Sequence, residues 1–221
     1  MAEILLISDL HLADKTGTDN FTSEERLIKL ILEKQPQKIY IVGDFLELWQ
    51  VRWKVIRRIY GRLLDFLKNY DVQCILGNHD WEIQRIKDFP FPFVPTLMET
   101  IGNRKFFFIH GQQFDLFFNN PKTWRFIKPF VRLYGFIEKI FKKQPATAKT
   151  FEYKQRVEGH FVSDDIYRKA AVKILENTDV DVVVMGHTHK SVKEVYLING
   201  KNKEYWNCGA WVDGKEDYFF L

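Results

Sequence analysis

The sequence predicts an α/β fold, and three observations carry that expectation. Short β-branched and aromatic runs alternate with helical patterns along most of the 221 residues. A composition of 46% hydrophobic and 28% charged residues supplies enough apolar material for a sizeable core. Five of the expected strands also run directly into short clusters of Asp, Asn, His and Gly, as the loops at the carboxyl ends of α/β sheets do.

In chain order, Glu3–Ser8 and Lys38–Val42 read as buried strands. Between them Thr22 and Glu25 have capping-box spacing, and Leu27, Ile28, Ile31 and Leu32 repeat along one helical face. Val55, Ile56, Ile59, Tyr60, Leu63, Leu64 and Leu67 predict a second helix ahead of a strand at Val72–Leu76. Lys105–Ile109 and Asp181–Met185 read as further strands. Asn199-Gly200 turns a hairpin of Glu194–Ile198 and Lys203–Trp206, and Asp217–Phe220 forms a last strand. Residues from about 115 to 178 interrupt the alternation, with Pro121, Pro129 and Pro145 punctuating helical pieces. The expectation is one domain over 1–221 carrying a helical insertion at about 115–178.

Several classes are excluded. Cys74 and Cys208 stand far apart in no metal or redox spacing, and such sparing use of thiols suits a reducing cytoplasm. The opening run has no cationic region and breaks at Asp9, unlike a signal peptide. No stretch reaches the ~18 uncharged apolar residues of a membrane span. The net charge of +4 is too mild to imply nucleic acid by itself.

The polar clusters are Ser8-Asp9-Leu10-His11, Gly43-Asp44-Phe45-Leu46-Glu47, Gly77-Asn78-His79-Asp80, His110-Gly111 and Gly186-His187-Thr188-His189. Five of the six histidines fall inside them, so five separate structural accidents explain the pattern poorly. A set of carboxylate, amide and imidazole donors without thiolate suits a catalytic site for Mn²⁺, Fe or Zn²⁺. About seven ligands exceed what one ion needs, which points to two ions sharing a bridge.

In this order and spacing, the five clusters resemble the signature of the calcineurin-like binuclear metallophosphoesterases. The resemblance implies an αββα fold, a β-sandwich flanked by helices, and a role for each matching residue. Asp9, His11 and His189 would hold one ion, and Asn78, His110 and His187 the other. Asp44 would bridge them together with the water or hydroxide that attacks phosphorus. His79 would face the phosphate as proton donor or charge stabiliser, with Asp80 orienting its imidazole.

Gly43–Trp49 (GDFLELW) and Asn207–Asp213 (NCGAWVD) are similar to segments of the UDP-2,3-diacylglucosamine diphosphatase branch of that family. That branch implies cleavage of UDP-2,3-diacylglucosamine to UMP and a diacylglucosamine 1-phosphate for lipid A assembly, with two divalent ions, Mn²⁺ foremost and Fe or Zn as alternatives. Its best-known members carry Arg where this chain has His79, which matches the wider family. Activity on other nucleotides or phosphodiesters, and a non-catalytic scaffold, are the competing functions.

The insertion concentrates the basic excess. Residues 121–143 carry seven cations against Glu138, a local charge of +6, interleaved with aromatics. Such a segment suits the surface of an anionic membrane on the inner, cytoplasmic face, with Trp124, Lys128 and Arg132 meeting a nucleotide-linked glycolipid beside Asn78 and His79. The competing readings are a helical cap with its aromatics on the core and a single-stranded nucleic-acid platform. The rest of the chain is acidic on balance, which argues against nucleic acid.

Overall fold

The computed structural model describes residues 3–15, 21, 23–114 and 164–221. Among the described residues, ten strands form two five-stranded sheets. The first sheet contains β1 (Ile4–Ile7), β2 (Lys38–Val42), β3 (Asp71–Ile75), β4 (Phe93–Val94) and β10 (Phe219–Phe220), in the order β10-β1-β2-β3-β4. The second contains β5 (Thr96–Ile101), β6 (Arg104–Ile109), β7 (Val182–Met185), β8 (Ser191–Ile198) and β9 (Lys201–Cys208), in the order β5-β6-β7-β9-β8. Helices α1 (Glu24–Lys34), α2 (Trp53–Leu67) and α3 (Asp164–Asn177) flank them.

Strand alternation builds the layers. Ile4, Leu6, Tyr40, Val42 and Ile75 face Phe106, Phe108, Val182, Val184 and Trp206 in the core between the sheets. Tyr40 stacks on Phe108 there, with ring centroids 4.5 Å apart. The intervening residues Leu5, Ile7, Ile39, Ile41, Val72 and Cys74 point outward to α1 and α2. On the far side Val183, Met185 and Tyr205 meet Tyr167, Ala171 and Leu175 of α3. The fold is therefore the four-layer αββα arrangement.

Several boundaries differ from the sequence expectation. The N-cap of α1 is Ser23, and Thr22 lies outside the described residues. Leu32 belongs to the expected apolar face, yet it is 54% exposed because that face narrows to Leu27, Ile28 and Ile31. Helix α1 stops where Gln35 turns left-handed ahead of Pro36. The last strand is shorter than expected, at Phe219–Phe220.

Two strands escape the sequence reading. Phe93–Val94 is too short to show a period, hemmed by Pro92 and Pro95. Thr96–Ile101 pairs with β6 through a Gly102-Asn103 turn, a hairpin signal present in the sequence. Helix α3 falls inside the expected insertion but packs on the second sheet as an outer layer, because Tyr167, Ala171 and Leu175 form a buried stripe. The rest of that stretch, 115–163, is outside the described residues.

Candidate metal centre

Strands β1, β2 and β3 run parallel, as do β6, β7 and β9. Their carboxyl ends meet at one edge of the sandwich. The loops stay zipped after the strands end: Asp9 N donates to Gly43 O, His11 N to Asp44 O, and Leu12 N to Phe45 O, all within 3.0 Å. The two sheets are stitched together at the same edge. His187 N donates to Asp9 Oδ2 at 2.9 Å, and His110 Nδ1 meets Val42 O at 2.8 Å.

Backbone strain gathers here. Asp9, His11, Asp44, His187 and His189 all have φ between +46° and +70°, a region where Asp and His are enriched among non-glycine residues. Each such residue costs of order 1–3 kcal/mol, so the loops hold an arrangement that local preference disfavours. Gly43, at φ +89°, lies so close to His110 that a Cβ would sit 2.1 Å from its Nδ1. Only glycine lets that imidazole pass beneath the β2 loop.

The side chains form three overlapping groups that offer metal-binding atoms: Asp9, His11 and His189; His11, Asp44 and His79; and Asp44, His110 and His187. Asp9 Oδ1 lies 3.1 Å from His189 Nε2, and Asp44 Oδ2 lies 3.1 Å from His110 Nε2. His11 Nε2 stands 3.8 Å from both carboxylates. Asn78 is also buried, and the backbone N–H of the next residue, His79, donates to Asp44 Oδ1 at 2.9 Å. Asn78 Oδ1 is buried with no hydrogen-bond partner, and Asp9 Oδ1 and His110 Nε2 make the 3.1 Å ion-pair contacts just described without hydrogen-bond geometry. Buried polar atoms are rarely left so, and oxygen and imidazole donors of this kind fit divalent cations. His110 also has the outer-shell contact typical of a ligand, its Nδ1 on a backbone carbonyl with Nε2 left for an ion.

Electrostatics agree with that fit. Burial pushes the Asp44 carboxyl up, but the charges of His110 and His79 outweigh it and hold it well below the usual range. Burial likewise opposes, without reversing, the pull of His110 and His189 that keeps Asp9 low. His110 is displaced the other way, to about 9, because Asp44 and Asp9 overcome the cost of burying its charge. The raised His110 must give up its proton to bind a cation through Nε2, so metal binding should release protons.

Around His79 the structure corrects the sequence. Asp80 is assigned there to the His79 imidazole, yet its carboxylate accepts from the backbone N–H of Leu46 at 2.8 Å, Gly77 at 3.1 Å and Phe45 at 3.3 Å. It braces the β2 and β3 loops against each other. Burial and the nearby Asp44 charge push its carboxyl up to about 7, against the pull of those N–H groups.

The carboxylate at His79 is that of Glu47, whose Oε2 lies 2.6 Å from His79 Nδ1 and 3.2 Å from His11 Nδ1. Glu47 is buried, and despite that burial the charge of His79 and the bond to His11 hold it at about 2. Its signal in the sequence was an acidic residue three positions after Asp44, inside the cluster yet without an assigned role. His79 Nε2 lies 4.0 Å from Asp44 Oδ2. The expected substrate contacts Trp124, Lys128 and Arg132, and the basic segment 121–143, lie outside the described residues.

Converging carboxylates and imidazoles at the shared ends of two sheets are the equipment of a metal-dependent hydrolase. The family model for calcineurin-like phosphoesterases matches residues 2–191. The chain belongs to that family and is a metal-dependent phosphohydrolase.

Among curated proteins it is similar to UDP-2,3-diacylglucosamine hydrolase of Coxiella burnetii, 24% identical over 97% of this chain and 91% of that one. The protein of the same name from Psychromonas ingrahamii is 22% identical over 94% and 89%. Among solved structures, the Escherichia coli phosphoesterase YfcE superposes with a TM-score of 0.52 at 18% identity, covering 99% of this chain and 87% of that one.

Proposed function

We propose that this phosphohydrolase cleaves the pyrophosphate of UDP-2,3-diacylglucosamine, giving UMP and 2,3-diacylglucosamine 1-phosphate. The observation that carries the proposal is similarity to the hydrolases of that substrate along nearly the whole length of both chains. Asp9, His11 and His189 would hold one divalent ion and Asn78, His110 and His187 a second, with Asp44 between them and Mn²⁺ the first candidate. When bound, such ions neutralise phosphate charge and make water a nucleophile at neutral pH.

The remaining work falls to the chain. Water oxygen bonds to phosphorus and the bond to the leaving oxygen breaks. His79 Nε2, the nitrogen turned away from Glu47, donates its proton to that oxygen or stabilises its charge. Glu47 holds Nδ1 and so fixes the ring, while Asp80 keeps the Asp44 and Asn78 loops in register.

Among the described residues no helix is long and apolar enough to cross a membrane. An acylated substrate would be met by peripheral contact through 121–143 on the cytoplasmic face. The second reading, a phosphodiesterase for nucleotides or other small diesters, is favoured by the imidazole of His79 set on Glu47 at the position where the best-known branch members carry Arg.

The two readings separate by competition. UDP-2,3-diacylglucosamine should be consumed with a kcat/KM at least 100-fold above that for UDP-N-acetylglucosamine, with UMP as product. Equal values would move the second reading ahead.

A further inference from the structure

We propose that Trp49 is a positioning residue, which holds the His79 imidazole in its reactive orientation by stacking on the ring while anchoring the peptide beneath it. The inference deepens the proposed chemistry and rests on His79 facing the phosphate.

Three contacts define the arrangement. The Trp49 and His79 rings stack with centroids 3.4 Å apart and planes 23° from parallel. Trp49 Nε1 donates to the carbonyl of Asn78 at 2.7 Å, so the same indole grips the peptide unit from which His79 projects. His11 meets the His79 ring edge-on, with centroids 4.6 Å apart. Glu47 takes Nδ1. The ring is thereby contacted on its face, by a T-shaped neighbour and at Nδ1, with Nε2 4.0 Å from Asp44 Oδ2.

One short turn delivers both restraints. Val51 N donates to Glu47 O at 3.0 Å, closing a turn over 47–51 that carries the Glu47 carboxylate and the Trp49 indole. Glu47 N in turn donates to Leu12 O at 3.1 Å, which ties this turn to the loop bearing Asp9 and His11. Trp49 is only 9% exposed, so its indole is committed to this place and leaves little surface to recruit a ligand.

The partners distinguish positioning from mere packing. Trp49→Phe keeps a ring for stacking and loses the bond to Asn78 O, whereas Trp49→Leu loses both. With the Mn²⁺-loaded protein and phenyl and p-nitrophenyl phosphodiesters of thymidine as probes, Trp49→Leu should lower kcat on the phenyl ester by roughly 10-fold or more. The change on the nitrophenyl ester should be smaller, because that leaving group needs little protonation. KM and bound metal should stay near wild type, and Trp49→Phe should recover most of the loss.

In a His79→Ala background the Trp49→Leu change should shrink to less than about 2-fold, since residues acting as one unit are not additive. A readout without turnover accompanies it. In the Zn²⁺-loaded protein the His79 ring-proton resonances should lie upfield under the indole and move downfield in Trp49→Leu.

If Trp49→Leu costs the same fold in both backgrounds, or if the His79 resonances do not move, the positioning role is overturned. If His79→Ala itself leaves phenyl-ester turnover intact, the role assigned to His79 fails first and takes this inference with it.

Discussion

Replacing Glu47 by Gln removes one charge from the His79 contact while keeping the shape of the side chain. Glu47 titrates near 2 instead of its ordinary 4.5, which at about 1.4 kcal/mol per pH unit is a preference for the carboxylate of roughly 3 kcal/mol. Its Oε2 shares that preference between His79 Nδ1 at 2.6 Å and His11 Nδ1 at 3.2 Å. Gln retains an oxygen acceptor but not the charge, so it forfeits half of that preference or more, on the order of the 1.5–3 kcal/mol that a hydrogen bond to a charged group contributes.

If that energy orients and charges the donor in the transition state, kcat falls by roughly 10- to 100-fold. The loss should be largest on esters with poor leaving groups, and KM should change little. Steady-state kinetics on a series of aryl phosphodiesters, with bound metal quantified in the same samples, measures this. Turnover within 2-fold of wild type across the series, with full metal content, would refute the assignment of Glu47 to His79.

Other perturbations test the remaining parts. His79→Ala should lower turnover by roughly 10²–10⁴-fold while the protein still binds its metal, as judged by elemental analysis. Gly77→Ala places a methyl carbon 2.1 Å from Asp44 Oδ1 and 2.2 Å from Asp44 N. It should destabilise the fold by at least about 2 kcal/mol in urea titrations and weaken metal binding with it.

The metal-free protein should also lose stability in base. His110 is raised from 6.5 to about 9, so its ion pair with Asp44 contributes fully below pH 6.5 and is lost as pH rises through 9. In chelator, the melting temperature should fall between pH 7 and pH 10, whereas an unchanged value would contradict the pairing.

Much of the centre was legible because its chemistry is local in sequence. Each cluster sits within a few residues of a strand end, and parallel strands carry those ends to one edge. Asp9, His11, Asp44, His110, His187 and His189 converge for that reason. What escaped depends on packing between loops. Asp80 and Glu47 are both acidic and both near His79, and only the direction of the turn over 47–51 decides which carboxylate meets the ring.

The same holds for the frame. A hydrophobic run predicts β1, but a two-residue strand such as β4 exists only because β3 offers it an edge. Leu32 has the spacing of a core residue and lacks a surface to pack on. Helix α3 falls in a stretch expected only to be a helical insertion, and its membership in the sandwich follows from contact with β7 and β9.

The central claim is a pair of divalent ions joined through Asp44, and metal stoichiometry tests it most directly. Wild-type protein, metal-stripped and dialysed against Mn²⁺, should bind two equivalents per chain by calorimetry. Asp44→Ala should bind at most one, and weakly, because two cations would then face mainly neutral imidazoles and each other. Two tight equivalents retained by Asp44→Ala would contradict the account.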